Sequence, residues 1–442
     1  MDSGLRVSIL GGGSAQTPGL IEGFIRQKSK IPLERLVLMD IDGAKLQSVG
    51  GLVRAMVDAA MPGTEVVLTE DRREALSNAD FIVCQIRVGG LAACHLDESI
   101  AAGMGLVGEE TTGPGGFSMA LRTIPVMVEI AKEIETVNPS AWLINYTNPT
   151  GLVAEAVRRT SSVKHVAICD EPMIMQEALA ALVGTTPGRL FMDYFGLNHL
   201  GFARKVLYRG TDILPALRQK LQMMAPERVL AVFGDEVMKD PKAQQELANT
   251  LRIFGETGIL PSPYLQYYYF TREIIEHQRE SGRTHAEYAM EIEKNLLAEY
   301  NRVTSGKKKP EKSRRGKWQA DMMVGLLGAI ANDSREIYIV NVPNRGALPE
   351  LPDNKIVEVP AVVDAAGPRP LAMGTMPVTV RGLIHSVAAY EELTVEAALS
   401  GSRRDALEAL TCHPLVGSRE TAWHLLDAYL DAHERYLPQF RK

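Results

Sequence analysis

Three consecutive glycines, Gly11 to Gly13, followed by Ser14, interrupt the stretch SILGGGSAQTP just after the apolar run Leu5–Leu10. A glycine cluster between a strand and a helix lets backbone N–H groups approach a phosphate closely, and the helix N-terminus favours the negative charge. The pattern reads G-x-G-x-x-Q rather than the full G-x-G-x-x-G, so a glycine-rich turn without a ligand is the competing reading. A second strand-like run, Leu36–Met39, ends at Asp40, where a dinucleotide fold grips the adenosine ribose hydroxyls. Asp40 stands 29 residues after Gly11, so the first helix or its loop is expected to be extended. Further along, Cys169 closes an apolar run and His199, in GLNHLG, follows 30 residues later. Thiolate and imidazole suit zinc, iron or manganese and leave positions open for substrate and water. A buried thiol and a satisfied loop histidine would give the same spacing.

The elements that must position these residues alternate in the first half of the chain. Strand-like runs recur at Leu5–Leu10, Leu36–Met39, Glu65–Thr69, Asp80–Arg87, Trp142–Asn145 and His165–Ile168, with helical patterns between them, notably Pro18–Lys30, Ser118–Val137 and Gly151–Arg159. This predicts an α/β fold: a Rossmann-like, doubly wound parallel sheet over residues 1–190. Residues 191–442 read as an α+β C-terminal domain that completes the site. It has a β-rich stretch at Tyr194–Tyr208 and helices at Pro215–Met224, Ala286–Glu299 and Trp318–Ala331. A second β-rich segment covers Glu336–Val342, Ile356–Val363 and Met376–Val380, and helices follow to the end. Ligands of such sheets lie beyond the carboxyl ends of the strands, which directs attention to Arg87–Gly90, Asn145–Pro149 and Cys169–Pro172.

Bulk properties narrow the function. A formal charge of −6 over 442 residues gives no reason to expect nucleic acid or an anionic membrane as partner. The basic run Lys307–Arg315 is a local exception that reads as a solvated loop. Four cysteines (Cys84, Cys94, Cys169, Cys412) in so long a chain do not make a disulfide framework. With no long apolar run and no signal-peptide pattern, the expected location is cytoplasmic.

A set of motifs in order along nearly the whole chain is similar to family 4 of the glycoside hydrolases. It includes GGGSAQTP, DID at Asp40–Asp42, RVGG at Arg87–Gly90, DE at Asp97–Glu98, GEETTGPGG at Gly108–Gly116, ALRTIPV, NYTNPTG at Asn145–Gly151, ICDEP, YFGLNHL and PSPYLQYYY at Pro261–Tyr269. The resemblance implies a hydrolase that uses NAD as a recycled cofactor together with Mn²⁺ or another divalent metal. NAD⁺ takes hydride from C3, a base removes the acidified C2 proton, the aglycone is eliminated, water adds and the hydride returns. It implies that Gly11, Gly13, Ser14, Asp40 and Arg87 hold NAD and that Cys169 and His199 bind the metal. Tyr264 would be the C2 base, Asp170 the proton donor, and Asn148 a hydrogen-bonding partner of the sugar. Family members commonly form dimers or tetramers, so a homo-oligomer is expected by analogy.

Departures from the family pattern bear on the substrate. Two arginines that bind a 6-phosphate in the family fall on Cys94 and His285, and neither replacement reproduces a bidentate charge-assisted grip. His95 and Arg283, close by, are the residues that could compensate. Lys317 and Trp318 bring in a cation and an indole donor where phospho-glucosidases resemble RGGAxYS. Together these suggest a C6 monoanion, with an α-sulfoquinovoside as the leading expectation and a 6-phospho-glucoside as the alternative. Asp170, where β-specific members usually carry Asn, favours an α-linkage. Glu109 stands where the family usually has Gln, with no assigned role. Two other classes compete: a lactate/malate-type dehydrogenase, which would release NADH and need no metal, and a catalytically silent nucleotide sensor.

Overall fold

The computed structural model describes residues 4–224, 241–305 and 317–441; for Pro241 and Lys317–Gln319 only the helical backbone is described. Its centre is a nine-stranded sheet. Six strands are parallel: β1 (Leu5–Leu10), β2 (Leu33–Met39), β3 (Glu65–Thr69), β4 (Phe81–Cys84), β5 (Trp142–Asn145) and β6 (Lys164–Ala167), in the spatial order β3-β2-β1-β4-β5-β6. That is the doubly wound order, and it places the switch point between β1 and β4. These runs are short and mostly apolar because helices cover both faces.

The sheet does not stop with the first half of the chain. Strands β11 (Glu336–Pro343), β12 (Ile356–Asp364) and β13 (Gly367–Pro370) continue it antiparallel beyond β6, with Asn341 of β11 paired to Ala167. The expected strand at Met376–Val380 is absent. Pro377 and Val378 instead begin a helix, Val378–Ser400, with proline fixing the entry backbone just outside the first turn. Strand β4 also ends earlier than expected, at Cys84, so that Gln85–Arg87 are released into the site.

A smaller sheet carries the rest. Strands β7 (Leu190–Leu197) and β8 (Leu200–Tyr208) form a hairpin, flanked by β9 (Thr211–Asp212) and β10 (Leu260–Pro261). Leu197 pairs with Leu200, leaving Asn198 and His199 as the tip, and His199 adopts φ +59°. Left-handed backbone at a histidine is uncommon and is tolerated here because a two-residue turn requires positive φ. Glu358 of β12 anchors the hairpin to the main sheet. Its Oε2 accepts from Tyr194 (3.0 Å), and its Oε1 accepts from Asn198 (3.1 Å) and Asn341 (2.9 Å).

Helix N-termini differ according to what they face. Asp42 caps the helix Gly43–Ala60, and a full capping box at Thr284 and Glu287 starts His285–Thr304. The helices that begin at the carboxyl ends of β1, β5 and β6 (Thr17–Gln27, Thr150–Thr160 and Glu171–Val183) have no side-chain cap. Their N–H groups and dipoles point into the region where a ligand of this fold belongs.

Candidate active site

The glycine turn is shaped by contact rather than by flexibility. Gly11 has φ +82°, and a Cβ there would lie 2.9 Å from the Gln85 carbonyl oxygen. At Gly13 a Cβ would meet the Asp40 carboxylate at 2.9 Å. Asp40 Oδ2 accepts the Gly13 N–H (2.9 Å) and Oδ1 accepts that of Asp42 (3.0 Å), so the acidic end of β2 clamps the turn. Ser14 Oγ accepts from the Gln16 N–H at 3.2 Å. With an uncapped helix immediately after it, this cradle fits a dinucleotide pyrophosphate. The Arg87 guanidinium pairs with Glu110 and donates to Cys94 Sγ (3.2 Å). Burial works against the Glu110 anion, yet Arg87 outweighs it and holds the carboxyl below its usual range.

Cys169, just past β6, and His199, at the hairpin tip, converge. Sγ lies 3.5 Å from Nε2, and both residues are buried. At donor–metal distances of about 2.3 and 2.1 Å, that separation subtends about 105° at a shared ion, a normal coordination angle. Burial pushes the His199 pKa down to about 4, against a weaker pull from Glu110, so the imidazole is neutral and free to ligate. Burial, and then Glu358, Asp170 and Glu171, raise the Cys169 thiol well above its usual range. A cation is what would make it a thiolate. Among the described residues no cluster of three or more candidate ligands occurs, and a pair of donors such as Cys169 and His199 leaves positions open for substrate and water. The donor set therefore fits the metal expected from the sequence.

Tyr264 stacks on His199, with ring centroids 3.8 Å apart and planes 3° from parallel. Burial lifts its phenol well above the ordinary range, and the charges of Glu109, Cys169, Glu246 and Asp170 add to this. Its neighbour Tyr267 is buried and donates to Glu109 (2.8 Å), which gives that carboxylate a partner. Asp170 occupies the N-cap position of Glu171–Val183 and hydrogen-bonds the Tyr146 side chain. Asn148, before the Pro149–Thr150 corner, accepts from Thr150 Oγ1 at 3.1 Å.

Asp170 and Tyr264 open on a cleft of about 510 Å³ that also takes in Glu109, Glu110, Glu171, Lys242, Glu246 and His285. Of the residues expected to read C6, His285 lies on this wall, and its Nδ1 is 3.2 Å from Lys242 Nζ. Arg283 does not: it is drawn outward by Glu291 (3.0 Å) and lies over the Tyr288 ring. His95 is held by Thr284 Oγ1 at 2.9 Å and does not line the cleft. The side chains of Lys317 and Trp318, and the run Lys307–Arg315, lie outside the described residues. Lys242 was not singled out by sequence. The signal for it is the face 242, 246, 250, 254 of Pro241–Thr257, visible only once the cleft is known.

Residues 6–185 match the model of family 4 glycosyl hydrolases, and residues 194–416 match that of the family 4 glycosyl hydrolase C-terminal domain. A probable 6-phospho-beta-glucosidase of Bacillus subtilis is 38% identical over 453 aligned residues, covering 100% of this chain and 99% of the relative. A 6-phospho-alpha-glucosidase from gut microorganisms, solved in complex with NAD and Mn²⁺, superposes with a TM-score of 0.92 at 30% identity, covering 99% of this chain and 100% of that one. The corresponding enzyme in complex with NAD and glucose-6-phosphate gives 0.93 at 30% identity with complete coverage of both chains. Sequence and architecture agree from end to end, and the chain belongs to family 4 of the glycosyl hydrolases.

Proposed function

We propose that the protein hydrolyses an α-linked 6-phospho-glucoside, using NAD and a divalent cation such as Mn²⁺ that both end each turnover unchanged. The observation that carries this reading is the convergence of Cys169 and His199, with Tyr264 stacked on His199 and lining a cleft that also exposes Asp170. Bound together, the two cofactors supply a hydride acceptor and a Lewis acid that stabilises negative charge on neighbouring sugar oxygens. Cys169 and His199 are the donors for the cation. The glycine turn, clamped by Asp40, presents the helix N-terminus to the pyrophosphate.

Tyr264 removes the C2 proton. Its buried phenol is a poor base alone, so its competence depends on positive charge in the filled site. Asp170, which lines the cleft, gives its proton to the departing glycosidic oxygen, and Tyr146 fixes its orientation. The α-linkage rests on Asp170 itself. Lys242, beside His285, supplies a cation on the cleft wall for an anionic C6 group.

The 6-phosphate is preferred over a 6-sulfonate because similar full-length proteins bear phospho-glucosidase names. The sulfonate reading rested on the missing arginines at Cys94 and His285 together with Lys317 and Trp318. Release of nitrophenol from α- and β-glucosides carrying 6-phosphate, 6-sulfonate or a free 6-hydroxyl, each with and without NAD⁺ and Mn²⁺, tests the proposal. Cofactor-dependent cleavage of the α-6-phosphate is expected. Cleavage of the sulfonate alone would overturn the C6 assignment, and accumulation of NADH without nitrophenol would overturn hydrolysis.

A further inference from the structure

Two helices form the long walls of the cleft, and each changes character along its length. On Glu171–Val183, preceded by Asp170, the residues facing the cleft are 170, 174, 178 and 182 with their neighbours 171, 175 and 179, one helical face. On Pro241–Thr257 they are 242, 246, 250 and 254 with 243, 247 and 251. Asp170, Glu171, Lys242 and Glu246 all sit at the N-terminal ends. Beyond them both faces turn apolar, through Ile174, Ala178 and Leu182 on one side and Leu247, Leu251 and Phe254 on the other. Ile174 is 38% exposed, a large apolar side chain kept open to the cleft rather than packed away. The apolar face runs from Ile174 to Leu182, about 12 Å at the rise of a helix.

We infer that this trough is the leaving-group subsite, and that it takes an alkyl or aryl aglycone rather than a second sugar. The inference rests on the glycosidase reading above, which makes Asp170 the donor to the leaving oxygen. Asp170 begins the very face that becomes apolar, so a group departing from it has that face as its path. A second hexose would meet few polar partners there, because the charged residues are confined to the Asp170 end. A volume of about 510 Å³ lies in the usual range for small-molecule sites.

The deciding experiment compares methyl, n-octyl and glucosyl 6-phospho-α-glucosides with the holoenzyme. Methyl and octyl leaving groups have nearly the same acidity, so their difference reports the trough. Each buried methylene is worth roughly fourfold in affinity, and an octyl KM at least tenfold below the methyl KM is expected, with the glucosyl substrate showing no such gain. Ala178→Trp should reduce the octyl preference to within twofold, and Leu251→Asp should do so by a different route if the tryptophan does not fold. Octyl and methyl KM values within twofold in the wild-type protein, or an octyl preference that survives both substitutions, would overturn the inference. If no phosphorylated glucoside is cleaved, calorimetric titration with octyl and methyl α-glucoside, below the micelle concentration, separates the two failures. Octyl-selective binding lost in Ala178→Trp supports the trough even then. Equal binding, or octyl binding that weakens as protein concentration rises because a second copy covers the trough, overturns it.

Discussion

At the scale of single residues, burial sets the protonation states on which the site depends. Tyr264 is the sharpest case, because burial and the nearby acidic groups hold its proton and the stacked His199 keeps its ring fixed. Tyr264→Phe removes only the hydroxyl, so NAD⁺ and Mn²⁺ affinities should stay within about threefold while kcat falls by roughly 10²–10⁴, the usual span for a lost general base. Steady-state kinetics beside NADH fluorescence titration and manganese titration would check this. His413 illustrates the cost of neutral burial. It is 2% exposed, its Nδ1 accepts the Leu415 N–H at 3.1 Å, and burial pushes its pKa down to about 3. The unfolded chain protonates this group near pH 6.5 and the folded one does not, so stability is lost as pH falls below 6.5. By pH 5 the loss from this group is about 2 kcal/mol. His413→Asn keeps an acceptor and removes the titration. Urea unfolding at pH 7 and pH 5 should show a correspondingly smaller difference for the variant.

At the scale of elements, turns do the positioning. Three separate connections, after β1, after β6 and between β7 and β8, bring together residues that are far apart in sequence, and the first and last of them use positive φ, at Gly11 and His199. Gly11→Ala tests the first. Its Cβ would press on the Gln85 carbonyl from a backbone conformation that alanine disfavours, so the turn must shift. NAD⁺ affinity should fall by tenfold or more, with a stability loss of about 1–3 kcal/mol, as read by NADH titration and thermal unfolding. The hairpin that carries His199 depends on Glu358, a carboxyl that burial raises to about 7 even as three hydrogen bonds favour its charged form. Asn198→Ala removes one of those bonds and loosens the tip. Manganese affinity should drop several-fold with little change in NAD⁺ affinity, whereas an unchanged manganese titration would mean that the turn is held by its backbone alone.

At the scale of the whole molecule, buried ion pairs tie the C-terminal helices to the parallel sheet. Lys355 Nζ meets Glu155 at 2.7 Å and Glu391 at 2.6 Å, joining the approach to β12 with the helices Thr150–Thr160 and Val378–Ser400. Asp97, Arg122 and His433 form a second buried cluster, with contacts of 2.6 and 2.8 Å, that fastens the C-terminal end against Gly90–Gly103 and Gly113–Val137. Lys355→Met leaves two carboxylates buried without their cation and should cost about 3–5 kcal/mol in urea unfolding, with part recovered by adding Glu391→Leu. The sequence alone determined the six parallel strands, the glycine turn and the family, because short apolar runs broken by glycine and polar residues are local signals. Only the tertiary structure decided that β11–β13 extend the first sheet, that Met376–Val380 opens a helix, that Arg283 points outward and that Lys242 enters the cleft. Each of these depends on which distant surface a segment packs against, and neither the alternation nor the spacing of residues carries that information.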